Sequence, residues 1–205
     1  MESWKRRKFS ISLQIFLAAL VMPAFGSAQE KSALVPNAAI VQYAGSIGFL
    51  SIGAGYDLFR NQRGSIDLMY GYVPKTKGGK LDILSLKFSY RPFTIKIRDI
   101  AVVYPLNPGM FFSYTVDRKL SLSWDRDQYG KGYYGWSEAL RSHLSFGNEV
   151  DISGRKLFGD EKIKAVVLYS EFNASDLYLV SWVLNREALS VSDIFKLGVG
   201  VRLKF

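Results

Sequence analysis

The chain has no cysteine and a single histidine in 205 residues. Without cysteine there is no disulfide framework and no thiol chemistry, so strand pairing and packing must hold any exported form together. One histidine and no thiol leave a zinc site without its usual ligands. Long apolar runs are equally scarce. The one near the N-terminus covers residues 9–22, and Ser10, Ser12 and Gln14 interrupt its first half. It is short for a helix that spans a bilayer, which needs about 20 residues. No internal repeat, low-complexity tract or domain linker is present. Nor is there a strong charge excess: removing Lys5, Arg6, Arg7, Lys8 and Glu2 from 27 basic and 18 acidic residues leaves 23 against 17. That is too mild for a nucleic-acid binder. No cofactor motif appears.

What is present begins at the N-terminus. Lys5 to Lys8 form a positive segment, the apolar run follows, Pro23 breaks it, and Gly26-Ser27-Ala28 supplies small residues. This order predicts a secretory signal peptide over residues 1–28, cleaved after Ala28. Residues 29–46 read as a periplasmic lead-in, and residues 47–205 as one all-β domain.

Residues 195–205 carry the clearest pattern. Phe195, Leu197, Val199, Val201, Leu203 and Phe205 alternate with Lys196, Gly198, Gly200, Arg202 and Lys204. Period 2 describes a strand with one apolar and one polar face. Its length suits a tilted transmembrane strand of about 9–11 residues. With its terminal phenylalanine it resembles the assembly signal of bacterial outer-membrane β-barrels. The whole exported chain resembles the small outer-membrane β-barrel proteins of Gram-negative bacteria. That resemblance implies an antiparallel transmembrane barrel in the bacterial outer membrane. It also implies membrane lipid, lipopolysaccharide and the barrel-assembly machinery as partners.

The same alternation recurs upstream. Leu50, Ile52, Ala54, Tyr56 and Leu58 oppose Ser51, Gly53, Gly55 and Asp57; Ile66, Leu68, Tyr70 and Tyr72 oppose Ser65, Asp67, Met69 and Gly71. Leu84, Leu86, Phe88 and Tyr90 oppose Ser85, Lys87, Ser89 and Arg91. Strands are expected to begin near residues 47, 64, 80, 109, 133, 162 and 193. Residues 177–184 are apolar except for Ser181, so periodicity cannot separate strand from helix there. Bacterial single-chain barrels have an even strand number, so this segment is taken as the eighth strand. If residues 93–104 and 120–124 also span, the count is ten. Residues 125–136, with Tyr129, Tyr133, Tyr134 and Trp136, read as a long surface loop whose aromatics form an interfacial girdle or an adhesive tip.

Two residue sets are candidate sites. The charged set on the polar faces, Asp57, Asp67, Lys87, Arg91, Arg141, Glu149 and Arg202, is expected to fill and brace the interior as a polar network. Eight strands leave room for little more than side chains. The second set is His143 and Ser145, which share one face of a strand, where a histidine can activate a serine as nucleophile. His-x-Ser resembles the catalytic segment of the outer-membrane lipid A 3-O-deacylases, eight-stranded barrels that hydrolyse an acyl ester of lipopolysaccharide. The likeness covers His143 and Ser145, with Glu149 the candidate third member; Phe146 stands where that family has asparagine. The first functional expectation is a non-enzymatic barrel with a structural or surface-interaction role. The alternatives are a lipid acyl-ester hydrolase and a small-solute channel. Basic turn residues Arg60, Arg63, Lys75, Lys77 and Lys80 are expected in solvated loops within reach of phosphate.

Overall fold

Wherever polar and apolar residues alternate, the backbone is extended and paired. The computed structural model describes residues 35–77, 79–117, 137, 139–159 and 162–205. Nine strands run through this region: β1 (Ala38–Ala44), β2 (Leu50–Leu58), β3 (Gly64–Val73), β4 (Leu81–Tyr90), β5 (Ile95–Ile97), β6 (Ala101–Val116), β7 (Leu140–Ser153), β8 (Ala165–Ser175) and β9 (Lys196–Lys204). Eight of them form a closed antiparallel barrel in the order β1-β2-β3-β4-β6-β7-β8-β9, with β9 returning to pair with β1. Closure leaves no open sheet edge in the ring, so each barrel strand has a partner on both sides. β5 stands outside. It pairs with Ala101–Val103 of β6, beyond the stretch where β4 holds that strand.

An even ring of antiparallel strands puts the start of β1 and the end of β9 on the same rim. Asn37 and Phe205 meet there, with the Phe205 amide donating to the Asn37 carbonyl at 3.0 Å. The connections on that rim are 59–63, 91–100 and 154–164, the last containing α1 (Gly154–Phe158). On the opposite rim lie 45–49, the described residues of 74–80, and 176–195, while most of the segment between β6 and β7 lies outside the described residues. Segment 176–195 holds α2 (Asp176–Leu184) and α3 (Val191–Ile194). No helix among the described residues is long and apolar enough to cross a membrane.

The eighth strand is β1, not residues 177–184. β1 lies inside the stretch read as a lead-in, so the barrel begins at Ala38. Its sequence, AAIVQYA, hid the alternation because the inward face is itself mostly apolar: Ala38 and Ile40 are buried beside Gln42. Residues 177–184 belong to α2. β8 ends at Ser175, whose hydroxyl caps the helix by accepting from the Tyr178 amide, with Asp176 in the first turn. Residues 93–104 do not form a further barrel strand. They supply β5 and the start of the long β6, with a register shift between Tyr104 and Asn107 where Pro105 interrupts the ladder. Residues 1–28, 120–124 and 125–136 lie outside the described residues.

The inner and outer faces have opposite character. Inward positions include Ser51, Asp67, Lys87, His143, Glu149, Glu171 and Arg202, all buried. A small inner apolar cluster of Ile40, Ile47, Met69, Phe111 and Tyr169 separates them. Outward positions are mostly apolar and open, led by Leu144 at 57 % and Leu86 at 52 % exposed, with Asn148 and Ser170 a polar pair among them. Inward glycines make room for larger neighbours. A Cβ on Gly71 would collide with the Ile47 carbonyl, and one on Gly200 would enter the Tyr169 ring.

Gly200 therefore tests the packing of the interior. Gly200→Val is expected to cost about 1–3 kcal/mol through overpacking against Tyr169. In a Tyr169→Ala background the same substitution is expected to be close to neutral. Urea unfolding of all four proteins gives the coupling. An equal cost in both backgrounds would show that Tyr169 does not fill this space.

Candidate functional site

The chemistry-bearing residues converge on the barrel interior, because period 2 sends every second side chain there. Near the rim that carries Asn37 and Phe205, Arg91 follows β4 and reaches across the lumen. Its Nε donates to Glu149 Oε2 on β7 at 2.7 Å, and its Nη1 lies 3.8 Å from Asp57 Oδ1 on β2. Nη1 also donates to the Gln62 carbonyl at 3.2 Å, and the guanidinium sits 5.6 Å from the Tyr104 ring centroid. The Arg91 side chain is fully buried. Lys204 pairs with Asp151 at 3.1 Å in the same region.

Deeper inside, Arg202 on β9 donates through Nη2 to Asp67 Oδ2 on β3 at 2.6 Å. Lys87 on β4 forms an ion pair with Glu171 on β8, and its ammonium lies 5.2 Å from the Tyr169 ring centroid. The Tyr169 hydroxyl donates to Gln42 Oε1 at 2.9 Å. Each of these contacts joins strands that are not neighbours in the ring. They are struts across the lumen, not rungs within the sheet. The recess walled by Lys87, Asn107, Glu149, Tyr169 and Glu171 measures about 10 Å³, room for about one water.

Toward the other rim stands His143 on β7. It points inward, as does Ser145 two residues on, and the two share one face. The hydroxyl at hydrogen-bond distance from the imidazole is a different one: Ser113 Oγ on β6 lies 2.8 Å from His143 Nε2. The ring stacks on Phe111 with centroids 4.2 Å apart and planes 7° from parallel. His143 Nδ1 has no carboxylate partner among the described residues. Glu149 is committed to Arg91 and does not join this group. Among the described residues this is a buried serine–histidine contact in which no carboxylate bonds Nδ1 as the orienting member of a nucleophilic triad would. No group of three or more potential metal ligands occurs among the described residues.

The seven charged residues named from the sequence all project inward. The structure brings together Asp57, Arg91 and Glu149, and separately Asp67 with Arg202. Arg141 lies on the inner face of β7, in register with Ser113. The sequence reading missed Glu171, Tyr169, Gln42 and Ser113. Alternation carried a signal for three of them: Tyr169 and Glu171 share a face with Asn173, and Ser113 opposes Phe112. Gln42 was lost with β1 itself. The assembly-signal residues Leu197, Val199, Val201 and Leu203 all face outward on β9, while Phe195 packs edge-on against Phe146 at 5.2 Å.

The strength of the struts is measurable. Asp67→Ala leaves Arg202 buried and uncompensated and is expected to cost about 3–5 kcal/mol. Replacing both by apolar residues of similar volume, Asp67→Leu with Arg202→Met, is expected to recover most of that loss. Lys204→Met, at the more open Asp151 pair, is expected to cost about 1 kcal/mol or less. Denaturant unfolding of the refolded barrel checks all three. A double variant no better than Asp67→Ala would show that the charges act singly.

No protein-family model, curated protein or solved structure matches this chain, so its relationships rest on the closed eight-stranded antiparallel barrel itself.

Proposed function

We propose that this protein is an integral β-barrel of a bacterial outer membrane with a structural or surface-interaction role. One observation carries the reading: the polarity of the barrel is inverted. Ion pairs fill the inside, while most outward side chains of the barrel strands are apolar. A water-soluble barrel has no physical reason to expose Val41, Ile52, Leu86, Met110, Leu168 and Val201 together. A lipid-facing surface requires it.

The distribution of aromatics supports the same reading. Tyr43, Tyr72 and Phe172 stand on the outer face toward one rim, and Phe59 and Tyr90 toward the other. Val41, Ile52, Leu86, Met110 and Val201 lie between them, with Phe112 beside Leu86, so the belt is apolar throughout, as the core of a bilayer requires. Connections at the rim with Asn37 and Phe205 are shorter than 176–195 opposite. That rim is therefore assigned to the periplasm, where outer-membrane barrels have their short turns. The signal peptide over residues 1–28 supplies export, and the outward face of β9 is the part offered to the assembly machinery. Outer-membrane lipid and lipopolysaccharide are its surroundings.

The interior supports neither alternative as well. Among the described residues, charges pair across the lumen and the recess between them is about the size of a water, which suits bracing better than passage of a solute. The serine–histidine contact is buried inside the wall, away from any acyl chain outside it.

Leu86→Arg separates lipid from water as the outer solvent. Near the bilayer midplane it is expected to cost about 2–4 kcal/mol. On a soluble barrel the same exposed substitution stays within about 0.5 kcal/mol. Refolding into vesicles, scored by unfolding midpoint and by the gel shift between boiled and unboiled protein, gives the answer. A neutral effect, with protein recovered in the soluble periplasmic fraction, would end the membrane reading.

A further inference from the structure

The rim that carries Asn37 and Phe205 has a surface unlike the rest of the barrel. Each of its three connections sets exposed apolar side chains beside exposed cations. In the turn after β2, Phe59 is 60 % exposed next to Arg60, with Arg63 closing the turn. Phe59 takes a left-handed backbone with φ 66°, uncommon for a bulky residue, and its ring meets Tyr90 edge-on at 6.4 Å on the outer wall. In the next connection, β5 presents Ile95 and Ile97 around Lys96, and Arg98 follows; all four are exposed. In the third, α1 presents Leu157 and Phe158 immediately after Arg155 and Lys156, again all exposed. Lys162 and Lys164 continue that segment.

Acidic residues are few on this rim. Asp99 is exposed in the second connection, Asp160 and Glu161 stand in the sequence of the third, and Asp151 is taken by Lys204. The described connections of the opposite rim are nearer balance: Lys75, Lys77, Lys80 and Arg186 against Asp176, Glu187 and Asp193. Among the described residues the excess of cations therefore lies at one end.

We propose that this rim binds the headgroups of anionic phospholipids in the leaflet it meets. The inference rests on the membrane reading above and names the lipid chemistry at one end of it. Cations alone would suit any polyanion. The interleaved Phe59, Ile95, Ile97, Leu157 and Phe158 favour lipid, because rings and aliphatic side chains settle at the boundary between headgroups and acyl chains while arginine and lysine reach the phosphates. A cation near an anionic leaflet strengthens attachment about fivefold. Three such clusters around one rim act together and hold the barrel at a fixed depth.

The absence of cysteine makes the test clean. Leu157→Cys in the otherwise intact protein takes one fluorophore, and the labelled barrel is refolded into phosphatidylcholine vesicles. A trace of phosphatidylglycerol or of phosphatidylcholine then carries a nitroxide high on one acyl chain. Quenching by phosphatidylglycerol is expected to exceed quenching by phosphatidylcholine about twofold or more at low salt. The excess is expected to vanish at about 1 M salt, where the screening length is about 3 Å. It is also expected to vanish in a variant with Arg60, Lys96, Arg98, Arg155 and Lys156 all changed to glutamine, checked for folding by its gel shift. A Val183→Cys label on α2 is expected to show no preference. Equal quenching by both lipids at low salt overturns the proposal while leaving the barrel in the membrane. A preference that survives high salt or the five-glutamine variant overturns it as well. So does binding of soluble polyphosphate with no lipid preference, which would assign the rim to a soluble polyanion. Failure of the protein to float with vesicles, with no quenching by either lipid, removes the membrane reading and this inference together.

Discussion

Closure of the sheet is the constraint from which the rest follows. β9 pairs with β8 on one side and β1 on the other, which turns an open ribbon into a ring. Once closed, the ring satisfies its backbone groups internally and needs no other sheet. It also fixes a narrow interior, so the inward charges of one wall find partners on another. Arg202 reaches Asp67, Lys87 reaches Glu171 and Arg91 reaches Glu149 and Asp57, each on a strand that is not its neighbour in the ring. Inward glycines belong to the same constraint: Tyr169 fits only where Gly200 leaves space.

Isolated charges of this kind would be very unfavourable in a low-dielectric interior, and pairing them recovers much of that cost only when geometry is good. What the struts supply is specificity. Each links strands several places apart around the ring and so penalises a slipped register. A slip of one residue in β9 would expose Arg202 on the outside and turn Val201 inward. The outer face has no comparable device. Its apolar side chains are interchangeable in kind, and only their rims, where aromatics and cations collect, distinguish one position from another.

The fold was readable where the two faces differed in character and unreadable where they did not. β2, β3, β4 and β9 alternate cleanly because serine, glycine or charge faces inward against leucine, isoleucine, valine or tyrosine. β1 escaped because Ala38 and Ile40 face inward, so both sides look apolar. Residues 177–184 were mistaken for a strand through the same ambiguity, which a local signal could have resolved: Ser175-Asp176 begins that run as a helix cap, with a serine oxygen free to accept from the first turn. The expected strand number of eight came from the parity of barrels and was reached with one wrong member. Inside, alternation located the charged residues but not their partners. Pairing depends on strand order around the ring and on register, and neither is written in any single strand. The contact between His143 and Ser113 shows this best, since the serine nearer in sequence is not the one that the ring bonds.

The pairing of β1 with β9 has a further consequence for how the molecule is made. Ala38 lies opposite Lys204, so the seam joins the two most distant strands of the chain. Hairpins such as β2–β3 close through short loops at small entropic cost, but the seam must wait for nearly the whole polypeptide. Until it forms, β1 and β9 each present an unpaired edge together with an apolar face. A newly made chain is therefore most prone to self-association just before completion, and its folding depends on keeping these two edges apart from other copies until they find each other.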